Sequence, residues 1–253
     1  MRNYLILLFA IIVSPVFAQD PPEKYQEVWQ MVNEMDPNNS KTNKKLEQLR
    51  KENPNDPWIY WISGINCNPV TGNEAAAIFY KKAIEVDSTF PHAYYNLAVL
   101  DNDTTEQAYR NQINLLTKAL KYDANLGFAF IVRGDAHLAL GELDQAMQDC
   151  LSARKTNDID PMEANRLEVE ILWKQNKKKE AFKLVRKSSL ADGMWGTDFS
   201  VLLASIYEEM GEHEKACMCY YMAAEPFDAM EMEVPAAIAE GVKKCQGEQL
   251  QEK

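Results

Sequence analysis

The sequence predicts an all-α protein of antiparallel helix-turn-helix repeats, and three observations carry that expectation. Only 10 of the 253 residues are glycine, and long stretches are rich in Ala, Leu, Glu, Lys, Gln and Met, the residues that cost least in a helix. The hexapeptide Gly141-Glu142-Leu143-Asp144-Gln145-Ala146 returns as Gly211-Glu212-His213-Glu214-Lys215-Ala216, 70 residues later, which is twice 35 and points to a repeat of that length. Small residues keep the same step. Ala83, Ala119, Ala153, Ser188 and Ala223 are spaced by 36, 34, 35 and 35, and Gly64, Ala98, Gly134 and Ala204 by 34, 36 and 70. Two such series in phase place close helix contacts at regular intervals, because helices approach only where no large side chain stands between them.

Taken in order, the chain opens with Met1 and Arg2 ahead of nine apolar residues, Leu5 to Val13. The stretch closes with Val16-Phe17-Ala18, a small-residue cleavage pattern, so residues 1–18 are expected to be a signal peptide and Gln19 the mature start. The run is half the ~20 residues a spanning helix needs. The first cysteine is Cys67, which leaves no lipidation site at the cleavage point. The expected location is therefore periplasmic or secreted. Segment 23–56, with Trp29 and Leu49, lacks the small residues and reads as a degenerate N-terminal repeat or cap. Five repeats follow at 57–90, 91–126, 127–160, 161–196 and 197–230. Pro57, Pro91 and Pro161 open first helices, where a missing N–H costs nothing, and Thr104 with Gln107 suggests a capping box. Residues 191–197, with Gly193, Trp195 and Gly196, read as an enlarged loop. After Pro235 a capping helix is expected over Ala236 to Gln246, and the polar end, Gly247 to Lys253, is expected to fray.

These residues resemble the tetratricopeptide repeat (TPR), and the resemblance implies that the hairpins wind into a right-handed superhelix. Tyr94-x-x-Leu97-Ala98, Phe130-x-x-Arg133-Gly134-x-x-His137 and Leu203-Ala204-x-x-Tyr207 match its first helix, while Ala76-x3-Tyr80 and Ala216-x3-Tyr220 match its second. Arg133 departs from the pattern, since it stands where a buried Leu is usual, and Glu168 stands where a small residue is expected. The resemblance implies a non-catalytic interaction module whose concave face, lined by the first helices, receives a peptide or protein segment. Mapped repeat by repeat, that face takes Trp58, Trp61 and Ile65, then His92, Tyr95 and Val99, then Phe128, Ile131 and Asp135, and from the last repeat Asp198, Val201, Ser205 and Glu208. Aromatics at one end and acids at the other suggest an apolar ligand followed by basic residues. Members that clamp a terminal carboxylate use Lys, Arg and Asn at these places, and Asn96 alone has such a type here. The competing reading returns Trp58, Trp61 and Phe128 to the core, because aromatic stripes at helical spacing usually pack.

Composition narrows the alternatives. Lys and Arg total 27 against 38 Asp and Glu, a net charge of −11, which phosphate backbones repel, so nucleic acid is not expected as a partner. The three histidines are scattered over three repeats, and neither a phosphate-binding glycine loop nor a hydrolase or metalloprotease motif occurs. His213 and Cys217 share a helix face but lack further metal ligands, and Lys177-Lys178-Lys179 reads as a solvated helix start. No metal or cofactor is expected. The five cysteines read mostly as small buried hydrophobes. Cys217 and Cys219, two apart on a helix, cannot pair, and Cys245 is expected to be an exposed thiol. Two further readings remain, an extracytoplasmic enzyme with a site built from loops such as 191–197, and a subunit that self-associates through its end helices.

Overall fold

The computed structural model describes residues 21–34, 40–67, 73–101, 103–188, 190, 196–230 and 232–249. The signal-peptide segment, most of the 191–197 loop and the last four residues lie outside them. Among the described residues the regular structure is helical throughout, with no strand. A 3₁₀ turn, Glu23–Tyr25, leads into α1 (Gln26–Asn33) and α2 (Ser40–Glu52). Consecutive pairs then follow: α3 (Pro57–Ile65) with α4 (Asn73–Val86), α5 (Pro91–Val99) with α6 (Glu106–Tyr122), α7 (Gly127–Ala139) with α8 (Leu143–Ala153), α9 (Pro161–Lys174) with α10 (Lys178–Lys187), and α11 (Thr197–Met210) with α12 (His213–Ala229). A last helix, α13 (Ala236–Gln249), reaches three residues beyond the expected end. The chain divides into two compact units, one ending at Leu167 and the other beginning at Glu168.

Local chemistry sets these boundaries. Pro57 and Pro91 stand in the first turn of their helices, and Asp56 caps α3 by accepting from the Trp58 amide at 3.1 Å. α6 is capped by Thr105, whose hydroxyl accepts from the Ala108 amide at 3.3 Å, which moves the expected cap one residue on from Thr104. Asp103 holds Thr105 through both its amide and its hydroxyl, and Gln107 bonds Asn111 instead of reaching back.

Three hairpin turns share one construction. Gly141, Asn176 and Gly211, each 35 residues from the next, adopt φ of 76°, 58° and 75°, the left-handed conformation that ends a helix. In each, the following amide returns to a carbonyl five residues back: Glu142 to His137 at 2.9 Å, Lys177 to Leu172 at 2.8 Å and Glu212 to Tyr207 at 2.9 Å. The two glycines adopt this conformation at no steric cost, and asparagine is the residue that best tolerates it after glycine.

The small residues do what their spacing suggests. Ala83, Ala119, Ala153 and Ala223 are fully buried, as are Ala98 and Ala204. A Cβ on Gly64 would run into the Tyr80 ring, and one on Gly134 would stand 2.7 Å from Leu167 Cδ2. Gly134→Leu is accordingly expected to overpack this contact and cost about 1–3 kcal/mol. A melting curve unchanged by the substitution would show the helix frame to be misdrawn.

Up to Leu167 the core begins with Tyr25, Val28, Trp29, Leu46, Ile59, Trp61 and Ile62 and continues through Tyr94, Tyr95, Leu116 and Ala129. From Glu168 onward it is built on Val169, Val185, Phe199, Leu203, Ile206, Tyr207 and Tyr220. Trp173 of α9 lies 6.4 Å from Phe182 of α10. Arg133, which looked out of place, sits in a polar pocket of its own. Its Nε and Nη2 donate to the two carboxylate oxygens of Asp149 on α8 at 2.9 and 2.7 Å, and Nη1 donates to Thr117 at 3.0 Å. The His137 imidazole donates from Nδ1 to Glu142 at 2.6 Å.

The cysteines differ from expectation. Cys217 on α12 and Cys245 on α13 form a disulfide, while Cys150 and Cys219 are buried and Cys67 is half-buried. Cys245 is 3% exposed and not a free thiol. Pairing across 28 residues depends on how α13 lies against α12, which spacing along one helix does not reveal.

Candidate functional site

The first helices of the unit ending at Leu167 hold nine of the expected partner-binding residues, and burial separates them into two sets. Trp61 is 0% exposed, His92 2%, Ile131 4% and Tyr95 8%, so these four belong to the core and not to a binding surface. Trp58, Ile65, Val99, Phe128 and Asp135 are half-buried. Trp61 and His92 are buried within a cluster of rings. Trp29 of α1 stacks on Trp61 with centroids 5.2 Å apart, Trp58 meets Trp61 edge-on at 5.5 Å, and Phe90 and His92 close the cluster at 5.0 and 5.1 Å from Trp58. The indole N–H of Trp61 donates to the Asn96 side chain at 2.8 Å, so the one residue that fitted a carboxylate clamp is engaged in packing a tryptophan.

Burial among aromatics pushes the His92 imidazole down to about 4, from the usual ~6.5 of an exposed histidine. Between these two values the unfolded chain binds a proton that the folded chain refuses. The His92 contribution to stability is thus complete above pH 6.5 and drains away as pH falls toward 4. The loss should amount to about 2–3 kcal/mol, read as a drop in urea midpoint between pH 7 and pH 4.5. His92→Phe should flatten that slope; an equal slope in wild type and variant would assign it to other groups.

The acidic end of the expected surface is largely neutralised. Asp135 is gripped by Arg166, with Nη2 to Oδ2 at 2.9 Å and Nη1 to Oδ1 at 3.1 Å. Glu208 pairs with Lys244 at 2.7 Å, and Ser205 turns its hydroxyl to the Val201 carbonyl at 3.0 Å. Val201 is half-buried, and Asp198 is exposed in the first turn of α11. The preference for a basic flank on the ligand loses most of its support, and what remains in the first unit is a set of partly exposed apolar side chains, Trp58, Ile65, Val99 and Phe128, on three successive first helices.

Two open cavities among the described residues contain none of the nine. One of about 470 Å³ lies between α4, α5 and α6, walled by Leu97 and Leu115 with Asn73, Asn111, Gln112 and Lys81. The other, about 390 Å³, lies between α2 and α4, where the Arg50 guanidinium covers the Phe79 ring at 4.9 Å. No group of three or more His, Cys, Asp or Glu residues positioned to hold a metal occurs among the described residues. The His213 and Cys217 pair is closed to that role, because the Cys217 sulfur is bonded to Cys245.

No protein-family model matches the chain, and comparison with curated protein sequences finds no match. Solved structures do resemble it. YrrB, described as a TPR protein with an unusual peptide-binding site, is 22% identical with a TM-score of 0.52, over 79% of this chain and 97% of that one. PilF of Pseudomonas aeruginosa is 13% identical with a TM-score of 0.64, over 89% and 98%. PilW, described as a type IV pilus biogenesis factor, is 12% identical with a TM-score of 0.63, over 87% and 99%. At these identities the likeness speaks for the fold, and together with the paired helices and shared turns it makes this chain an all-α helical repeat protein of TPR-like fold.

Proposed function

We propose that the chain is a non-catalytic, extracytoplasmic scaffold that binds an apolar segment of a protein partner on the first-helix surface of the unit ending at Leu167. The observation that carries this reading is the partly exposed apolar set, Trp58, Ile65, Val99 and Phe128, repeated on α3, α5 and α7. A rigid aromatic or branched side chain that is already partly desolvated anchors a ligand at little entropic cost. Trp61 meets Trp58 edge-on, and Val99 and Phe128 pack against the buried cluster that includes Tyr95 and Ala129, which is the support a binding surface needs. The solved neighbour with a peptide-binding site supports the same use of the fold.

Two features support a location outside the cytoplasm: the apolar stretch Leu5 to Val13 ahead of Val16-Phe17-Ala18, and the Cys217–Cys245 disulfide, a bond that persists in oxidising compartments. Fractionation with N-terminal sequencing tests the location; a soluble extracytoplasmic chain beginning at Gln19 is expected, and intact Met1 in the cytoplasm would refute it. Affinity capture from the cell-envelope extract, with the mature chain as bait, tests the binding role. One or a few proteins should be retained specifically, and retention of none would count against a scaffold.

A further inference from the structure

α13 is held by few noncovalent anchors and one covalent one. Among its described side chains, Ile238 and Cys245 are buried, Gly241 lies so close to the Tyr220 ring that no Cβ would fit, and Val242 is half-buried. These four positions make a single helical stripe, and Ile238, 3% exposed, is the one large buried side chain in it among the described residues. By contrast α11 alone buries Phe199, Leu203, Ile206 and Tyr207. A helix of this length is marginal in water without packing, and the surface ion pair of Lys244 with Glu208 adds little. The disulfide ties the last turns of α13, the end remote from the connection that follows Met230.

The two bonded cysteines differ in access. Cys217 is half-buried and Cys245 is 3% exposed, so a reductant approaches from the Cys217 side. The neighbouring thiol, Cys219, is two residues along the same helix, about 200° around it. Burial pushes that thiol up to about 12, so it is neither placed nor ionised to intercept the exchange.

We infer that the Cys217–Cys245 disulfide is a redox-operated clasp: a dithiol reductant opens it, frees α13 from α12, and uncovers the apolar edge of Ala223, Ala224 and Val201 while the α11–α12 hairpin stays folded. A thiolate of the dithiol attacks Cys217 Sγ, forming a mixed disulfide and breaking the bond to Cys245, whose sulfur leaves as a thiolate and takes up a proton. The second thiolate of the reductant then attacks its own bonded sulfur and expels the Cys217 thiolate, which is protonated in turn. The reductant ends as a disulfide, having delivered two electrons, and the protein ends with two thiols. The edge so exposed belongs to the small cluster that Ile238 completes in the closed form.

Amide hydrogen exchange on the full chain, with and without dithiothreitol, tests the clasp. Amides of 236–249 should exchange on the order of 100-fold faster after reduction, the share of protection that a tie closing such a loop confers. Cys217→Ser should reproduce that change without reductant, while α11 and α3 to α8 exchange as before and serve as the internal reference for folding. Three results would overturn the inference: no disulfide in the mass of the unreduced protein, α13 protection that survives verified reduction, or loss of protection in α11 and α12 together with α13.

Discussion

Trp61→Ala is expected to lower the unfolding free energy by about 3–5 kcal/mol, the range for truncating a fully buried large aromatic. Trp61 is 0% exposed and touches four rings, stacking on Trp29 and meeting Trp58, Phe90 and His92 at centroid distances of 5.5, 6.5 and 5.4 Å. Alanine would leave a cavity among side chains that come from α1, α3 and the start of α5, and these elements cannot all move into it together. It would also remove the indole donor from Asn96, a smaller loss because Asn96 is half-exposed and water can take the donor's place. An unfolding free energy from urea titration lowered by less than ~1 kcal/mol would mean that Trp61 is on the surface after all. Trp61→Phe should recover much of the loss, since it keeps a ring in the stack.

Asp149→Ala is expected to cost a similar amount, about 3–5 kcal/mol, for a different reason. Asp149 is 3% exposed, and both its oxygens receive hydrogen bonds from Arg133, whose side chain is itself only 18% exposed. Removing the carboxylate strands a guanidinium that has lost its hydration and kept only Thr117 as a hydrogen-bond acceptor from this set. The double variant Arg133→Leu/Asp149→Leu should be far more stable than Asp149→Ala, because exchanging both charges for apolar side chains removes the desolvation cost together with the attraction. Equal loss in the single and double variants would show that the pair is not the source of the effect.

These two residues also mark how far the sequence could be read. Pro57, Pro91, Gly141 and Gly211 act within one turn of chain, and their roles follow from backbone chemistry alone. The buried alanines follow from spacing, because close helix contact requires small side chains wherever it occurs. Arg133 looked like a departure because its partner stands 16 residues on, across the hairpin from α7 to α8. The place of Trp61 in the repeat leaves a surface and a core reading open, and one of the rings that buries it, Trp29, is contributed by the segment with the weakest repeat signal. Asp135 and Glu208 were counted as open acids although Arg166 and Lys244 lie 31 and 36 residues further along. Cys245 was misjudged for the same reason, since its partner belongs to another helix. In each case the missing information is which residues face one another across helices, and one strand of letters with no alignment carries that only where a single residue type enforces it.

Site-specific photo-crosslinking in the producing cells addresses the scaffold proposal most directly. A benzophenone side chain placed at Trp58 and, separately, at Phe128 samples the proposed surface, and one placed at Ile78, 66% exposed on α4, samples a helix outside it. The account predicts that positions 58 and 128 give an adduct with the same partner and that position 78 gives none. An adduct at 78 alone, or none at 58 and 128 while the protein remains folded, would contradict it.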